Sequence, residues 1–305
     1  MASDRDEPAL TSLRRYQEHV PGRMVLESTG AGWDDVQVRG RLYPEEQEPA
    51  PAPAIPQHTL TFVYGGGIEG ARRTGGGPWS AFDTQAHGHV TLRPAGRSTS
   101  IRWRAERPVR TLSLYLVPER LEEVALQMGV APSQVEMRDH FNRDDPLLER
   151  LAERLRWGAA HARPVDPLYL QTTVQTLAVR LLRAYTPAAP AAPDAAGCLS
   201  PPRLHRVQRY VRAHLDAALD LDDLAQEVGV SKYHFSRRFK ARTGQSPYQF
   251  VIYERVRAAR RQLRETTQPL AQVAYNVGFS SQSHFTRTFK QHVGVPPGAY
   301  RAAWR

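Results

Sequence analysis

The chain carries a single cysteine, Cys198, in 305 residues, so no internal disulfide can form. No apolar run approaches the ~20 residues that would cross a bilayer. The first ten residues, MASDRDEPAL, are acidic and lack the apolar stretch of a secretory signal. Together these absences lead us to expect a cytoplasmic protein without a membrane segment. No nucleophile, base and orienting group stand at a telling spacing, so no enzyme is expected. The glycine-rich GGGIEG at 65–70 is not a phosphate loop, because no Lys-Ser/Thr follows and no helix opens there. His87-Gly88-His89 sets two histidines on one face of a possible strand, but Thr91-Leu92-Arg93 follows and the next glutamate is Glu106. The ligand set of a metal-holding barrel is therefore incomplete, and neither metal nor cofactor is expected.

What the chain has is positive charge, unevenly placed. The formal net charge is +10. Residues 200–305 hold 18 Lys/Arg against 7 Asp/Glu, a net of +11, which leaves the first 199 residues at −1. Such asymmetry points to a polyanionic partner, nucleic acid ahead of a membrane surface. The length suggests about two domains at ~150 residues each. The stretch 186–202, TPAAPAAPDAAGCLSPP, reads as a semi-extended linker between them. We therefore expect domains at 1–185 and 203–305.

The first domain carries strand signals at 58–64, 90–93, 99–103 and 109–117, short runs between Gly/Pro turns that suggest a small sandwich or barrel. Residues 46–57, EQEPAPAPAIPQ, read as a proline-rich loop, and 65–78 as a mobile glycine-rich one. Helical periodicity then takes over at 118–128, 147–157 and 168–185. In the last of these Leu170, Val174, Leu177 and Leu181 form one stripe, either a dimer interface or packing within the domain. Arg102 and Arg104 alternate with Ile101 and Trp103. If the arginines line the interior they would bind an acidic effector; in the reverse orientation they lie in solvent. Trp33 and Trp79 are either pocket aromatics or packing residues.

The basic region repeats itself at an offset of 49–50 residues. Leu224-Ala225 matches Val273-Ala274, and Val228-Gly229 matches Val277-Gly278. Phe235, Arg237, Phe239-Lys240, Gly244, Pro247 and Phe250 then match Phe285, Arg287, Phe289-Lys290, Gly294, Pro297 and Tyr300. Each copy outlines a helix-turn-helix: a short amphipathic helix, a glycine suited to a left-handed turn, a serine N-cap, and a second helix. Phe235 and Phe239 face inward, as do Phe285 and Phe289. Tyr233, Ser236, Arg237 and Lys240, and Gln282, Ser283, Thr286, Arg287 and Lys290, face outward, a polar surface suited to base edges and phosphates. Between the copies 247–264 reads as one helix of about 27 Å. Its apolar stripe is Ile252, Val256, Ala259 and Leu263, and Arg255, Arg257, Arg260, Arg261 and Arg264 occupy the other faces.

The segments LAQEVGVSKYHFSRRFKARTGQSPYQFVIYERVRAARRQL and PLAQVAYNVGFSSQSHFTRTFKQHVGVPPGAYR closely resemble the DNA-binding domain of AraC/XylS transcription regulators. The resemblance implies an all-α domain whose two helix-turn-helix motifs, joined by a long helix, enter successive major-groove segments of promoter DNA. It implies base contacts from Tyr233, Ser236 and Arg237, and from Gln282, Ser283, His284 and Arg287. Lys232, Arg238, Lys240 and Lys290 are then the phosphate contacts. VTLRPAGRSTSIRW and VRTLSLYLVPERLEEVA resemble, less closely, the cupin-like α+β barrel that senses a small molecule in this family. That resemblance implies an effector, a possible homodimer and, for an activator, RNA polymerase as a partner. A non-specific architectural DNA protein and a cupin-type enzyme with an accessory DNA domain are the alternatives.

Overall fold

The computed structural model describes residues 11–28, 33–64, 68–84, 89–160, 166–187 and 198–304. The chain divides into two compact units. The first comprises 1–124 and 136–187, the second 125–135 and 188–305.

The first unit begins with helix α1 (Leu13–His19), capped by the Ser12 hydroxyl, which accepts from the Arg15 amide. Nine strands follow: β1 (Arg23–Glu27), β2 (Val36–Tyr43), β3 (Glu46–Ala52), β4 (His58–Tyr64), β5 (Ile68–Thr74), β6 (Ser80–Thr84), β7 (Val90–Arg93), β8 (Thr99–Ala105) and β9 (Val109–Leu116). Helix α2 (Pro118–Gln127) carries the boundary between the units. Strand β10 (His140–Arg143) and helices α3 (Pro146–Ala160) and α4 (Pro167–Ala184) complete the unit. A six-stranded sheet runs β1-β2-β9-β4-β7-β10 and a four-stranded one β3-β8-β5-β6. These are two facing sheets and not a closed barrel; of the sandwich or barrel expected from the strand spacing, the sheets take the sandwich form.

Two segments expected as loops are strands, each for a local reason. β3 contains Pro49 and Pro51, which lack an amide donor; it lies at a sheet edge, and its register with β8 shifts between Gln47 and Ala50. An edge with a bulge is where a strand tolerates proline. β5 is interior and contains Gly70, where a Cβ would stand 2.4 Å from the Arg102 carbonyl oxygen and 2.7 Å from the Phe82 ring. Glycine there permits close packing rather than mobility. In β9, Leu112, Leu114 and Leu116 are fully buried and α3 packs over β1, β2 and β9. The α4 stripe of Leu170, Val174, Leu177 and Leu181 is buried as well, and α4 packs on α3. That stripe is core, not a free dimer face.

The second unit holds α5 (Pro201–Ala213), α6 (Leu221–Gln226), α7 (Lys232–Thr243), α8 (Pro247–Glu265), α9 (Leu270–Asn276), α10 (Gln282–Val293) and α11 (Pro297–Trp304). Capping boxes start α6, at Asp220 with Asp223, and α8, at Ser246 with Gln249. Each satisfies two amides that a helix start leaves without partners. α7 and α10 both end on left-handed glycines, Gly244 and Gly294. The expected linker, 186–202, lies mostly outside the described residues, which omit 188–197, and its last two positions begin α5.

Candidate functional site

Two hydrophobic clusters orient the outward faces of the second unit. In the first, Phe235 and Phe239 are fully buried with Leu224, Ala225, Val228 and Phe250. In the second, Phe285 and Phe289 are fully buried with Val273, Ala274, Val277 and Tyr300. The sequence repeat reappears as repeated ring contacts: Phe235–Phe239 and Phe239–Phe250 at 5.4 Å, and Phe285–Phe289 at 5.5 Å with Phe289–Tyr300 at 5.4 Å. α8 serves both clusters, giving Phe250, Val251 and Tyr253 to one and Ile252, Val256, Ala259 and Leu263 to the other. Its 19 residues span about 28 Å.

Burying the phenylalanines turns the opposite side of each helix to solvent. On α7, Tyr233 is 71 % exposed and Arg237 and Lys240 are exposed. On α10, Gln282, Ser283, Arg287 and Lys290 are exposed. Among the described residues no carboxylate pairs with Arg237, Arg287, Lys240 or Lys290, so their charges remain open to an anionic partner. Four other expected contacts sit differently. Ser236 and Arg238 are half-buried. The Lys232 ammonium lies 3.2 Å from Asp222, a surface pair of small energetic weight. His284 is half-buried, its ring edge-on to Phe279 at 5.4 Å.

The long helix is less of a free basic surface than its sequence suggests. Arg260 is buried. Arg255 donates to the carbonyls of Leu215 (3.1 Å) and Ala217 (2.8 Å). Glu254, only 2 % exposed, accepts two bonds from Arg212 at 3.1 Å and one from Arg257 at 3.3 Å. Arg264 lies over the Trp304 ring. Only Arg261 of the five is fully exposed. The signal for this was Glu254, a glutamate on the interior of an arginine-rich helix, which the sequence pattern left unread.

In the first unit a cavity of about 160 Å³ lies between the two sheets. Ile101 and Trp103 line it, and Trp103 is buried, its indole donating to the Pro44 carbonyl at 3.3 Å. Arg102 and Arg104 therefore point the other way, a correction to the effector-binding expectation. Burying the indole and the isoleucine outweighs burying two guanidiniums. Arg104 is 83 % exposed and pairs with Glu46 at 2.7 Å. Arg102 lies over the outer ring of Trp79, which Arg73 also approaches. Trp33 is buried and does not line the cavity. Among the described residues the arginines that do line it are Arg72 and Arg93, both missed in the sequence: Arg72 lies within β5, which was expected to be loop, and Arg93 ends an ordinary strand. His87 lies outside the described residues, and His89 stands 3.2 Å from Asn142. Among the described residues no three His, Cys, Asp or Glu side chains cluster as a metal site.

The helix-turn-helix domain family matches residues 224–303, the span that holds both motifs. The multiple antibiotic resistance protein MarA of Escherichia coli K12 is 34 % identical over 98 residues, covering 32 % of this chain and 77 % of MarA. The chain belongs to the AraC/XylS family of transcription regulators. An AraC-like transcription regulator of Streptomyces lividans is 43 % identical over 79 residues, 26 % of each chain. A solved AraC-type DNA-binding transcriptional regulator from Chromobacterium violaceum is 33 % identical, with 33 % of this chain and 90 % of that one covered and a TM-score of 0.32. As a member of the AraC/XylS family the chain is a helix-turn-helix, DNA-binding transcription regulator. Among the described residues no helix is long and apolar enough to cross a membrane.

Proposed function

We propose that this regulator binds promoter DNA sequence-specifically through α7 and α10, and that a small molecule held by the first unit tunes that binding. The observation that carries the first part is the matched pair of surfaces: each helix buries two phenylalanines and turns an unpaired arginine, Arg237 or Arg287, to solvent. Tyr233, Ser236 and Arg237 read one half-site. Gln282, Ser283 and Arg287 read the other, with His284 at its margin. A bidentate arginine selects guanine. Lys240 and Lys290, with Arg238 and Lys232 beside them, hold phosphates and set register.

In this reading 1–185 is the sensor domain, 186–202 the linker and 203–305 the DNA-binding domain. The protein works in the bacterial cytoplasm without catalytic activity, as a monomer or homodimer, and touches RNA polymerase where it activates. Selection from a random duplex library with full-length protein tests the DNA reading. A bipartite motif with half-sites about one turn (~34 Å) apart is expected. Arg237→Ala and Arg287→Ala should each cost ~1–3 kcal/mol and relax opposite halves of the motif. Enrichment of no motif, or operator affinity unchanged in both variants, would sink it.

A further inference from the structure

The inter-sheet cavity is chemically polarised, and one of its cations has no carboxylate partner among the described residues. Arg93, at the end of β7, is 5 % exposed and lines the cavity. Its guanidinium donates to the carbonyls of Ala52 and Pro53 at 3.3 and 3.4 Å and to the Thr59 hydroxyl at 3.3 Å. It also lies over the Tyr16 ring. All of these partners are neutral, and all three bonds are at the long end of the hydrogen-bond range. A buried charge is ordinarily paired with an opposite one. Among the described residues no aspartate or glutamate lines the cavity.

Of the other buried arginines nearby, one has a carboxylate and one, with neutral partners only, lies away from the cavity. Arg72 meets Asp139 at 2.6 Å. Arg41 does not line the cavity, and it donates to Gln17 and to the carbonyls of Val20, Pro21 and Gly22. Among the described residues Arg93 is thus left as the cavity arginine without a carboxylate partner.

The strands grade the cavity from polar to apolar. Thr59 faces Arg93 across β4 and β7, and Thr61 faces Thr91 one inward position on. Further along β4 the inward residue is Val63, which faces Thr111 of β9, and beyond it Ile68, Trp103 and Val109 form one apolar cluster. From Thr59 to Val63 is four residues of strand, about 13 Å. The volume is of the order that accepts a benzene-sized guest.

We infer that the cavity binds a small monocarboxylate, its carboxylate on Arg93 with Thr59 beside it, and its apolar body against Val63, Ile68 and Trp103. This rests on the reading of the first unit as the effector-binding one, and names the class of effector. The carboxylate supplies the missing counter-charge, and the threonine hydroxyls donate to its second oxygen. A dicarboxylate is disfavoured, because among the described residues the lining offers no second arginine or lysine without a carboxylate partner.

The test is calorimetric titration of the full-length protein with 3-phenylpropionate and hexanoate, each against its own amide. The acids should bind, with the amides weaker by about ten- to a hundredfold, the range for a charged hydrogen bond. Arg93→Met should abolish that preference, and Arg93→Lys should keep part of it. Operator affinity is measured in parallel with each compound. Acid binding that leaves operator affinity unchanged supports the carboxylate site and removes the effector reading. An amide that binds as well as its acid, or an acid preference that survives Arg93→Met, overturns the carboxylate inference; the effector reading stands if that amide shifts operator affinity. Binding of none of the four compounds overturns it too. If Arg93→Met does not fold, the acid–amide contrast in the unaltered protein decides.

Discussion

At the scale of single residues, the two turns of the DNA-binding unit use glycine for different reasons. Gly229 and Gly278 both have left-handed backbones, with φ of +65° and +84°. At Gly229 a Cβ would meet nothing within 4 Å. Gly229→Ala should cost only the left-handed penalty, ~1–2 kcal/mol. At Gly278 a Cβ would stand 2.0 Å from the Leu215 carbonyl oxygen and 2.8 Å from the Arg255 guanidinium. Gly278→Ala must displace backbone as well, and should cost more than ~4 kcal/mol. Urea unfolding of the two variants checks the order; equal losses would show that the turn at Gly278 relaxes freely. His58 offers a pH test. Burial holds its imidazole neutral, lowering its pKa from 6.5 to about 4, and its Nδ1 accepts from the Ala95 amide at 3.1 Å. The folded value lies below the unfolded one, so the stabilisation is complete above about pH 6.5 and is lost as pH falls toward 4. The integrated loss is ~3 kcal/mol. His58→Asn, which keeps an acceptor but cannot charge, should flatten the fall of Tm between pH 7 and 4. An unchanged slope would place the acid sensitivity elsewhere.

At the scale of elements, α8 is the member through which the two helix-turn-helix copies share a frame. Its apolar residues divide between two cores, and its one buried carboxylate, Glu254, ties it to Arg212 of α5 and to Arg257 one turn on. Glu254→Gln keeps the shape and removes the charge. It should cost about 1.5–3 kcal/mol, the range for hydrogen bonds to ionised groups, reduced where Arg212 is open to solvent. Thermal unfolding gives the value, and a neutral result would mean that solvent screens both arginines completely.

At the scale of the whole molecule, the +11 of residues 200–305 against −1 elsewhere makes salt the natural probe. Lys240→Ala and Lys290→Ala should weaken binding to operator and random duplex alike. Each should reduce the slope of log affinity against log salt by ~1. A loss confined to the operator would move these lysines from the phosphates to the base edges.

The sequence by itself determined the DNA-binding half. Its repeat, its glycine turns and its paired phenylalanines are local devices of 3.6-residue periodicity, and the helices formed where that periodicity runs. α8, expected at 247–264, spans Pro247–Glu265. It also showed β4, β7, β8 and β9, whose branched and aromatic residues stand between turns. What it did not show was set by neighbours distant in the chain. Proline-rich β3 became a strand because an edge position was open beside β8, and Gly70 let β5 pack under Arg102 and Phe82. Which face of β8 looks inward was undecided in an alternating run, and the tertiary structure chose Trp103 over the arginines. The same pairing of sheets placed Arg93 at the cavity with no carboxylate beside it among the described residues. A strand's period is two, so its two faces are interchangeable until a second sheet arrives to bury one of them.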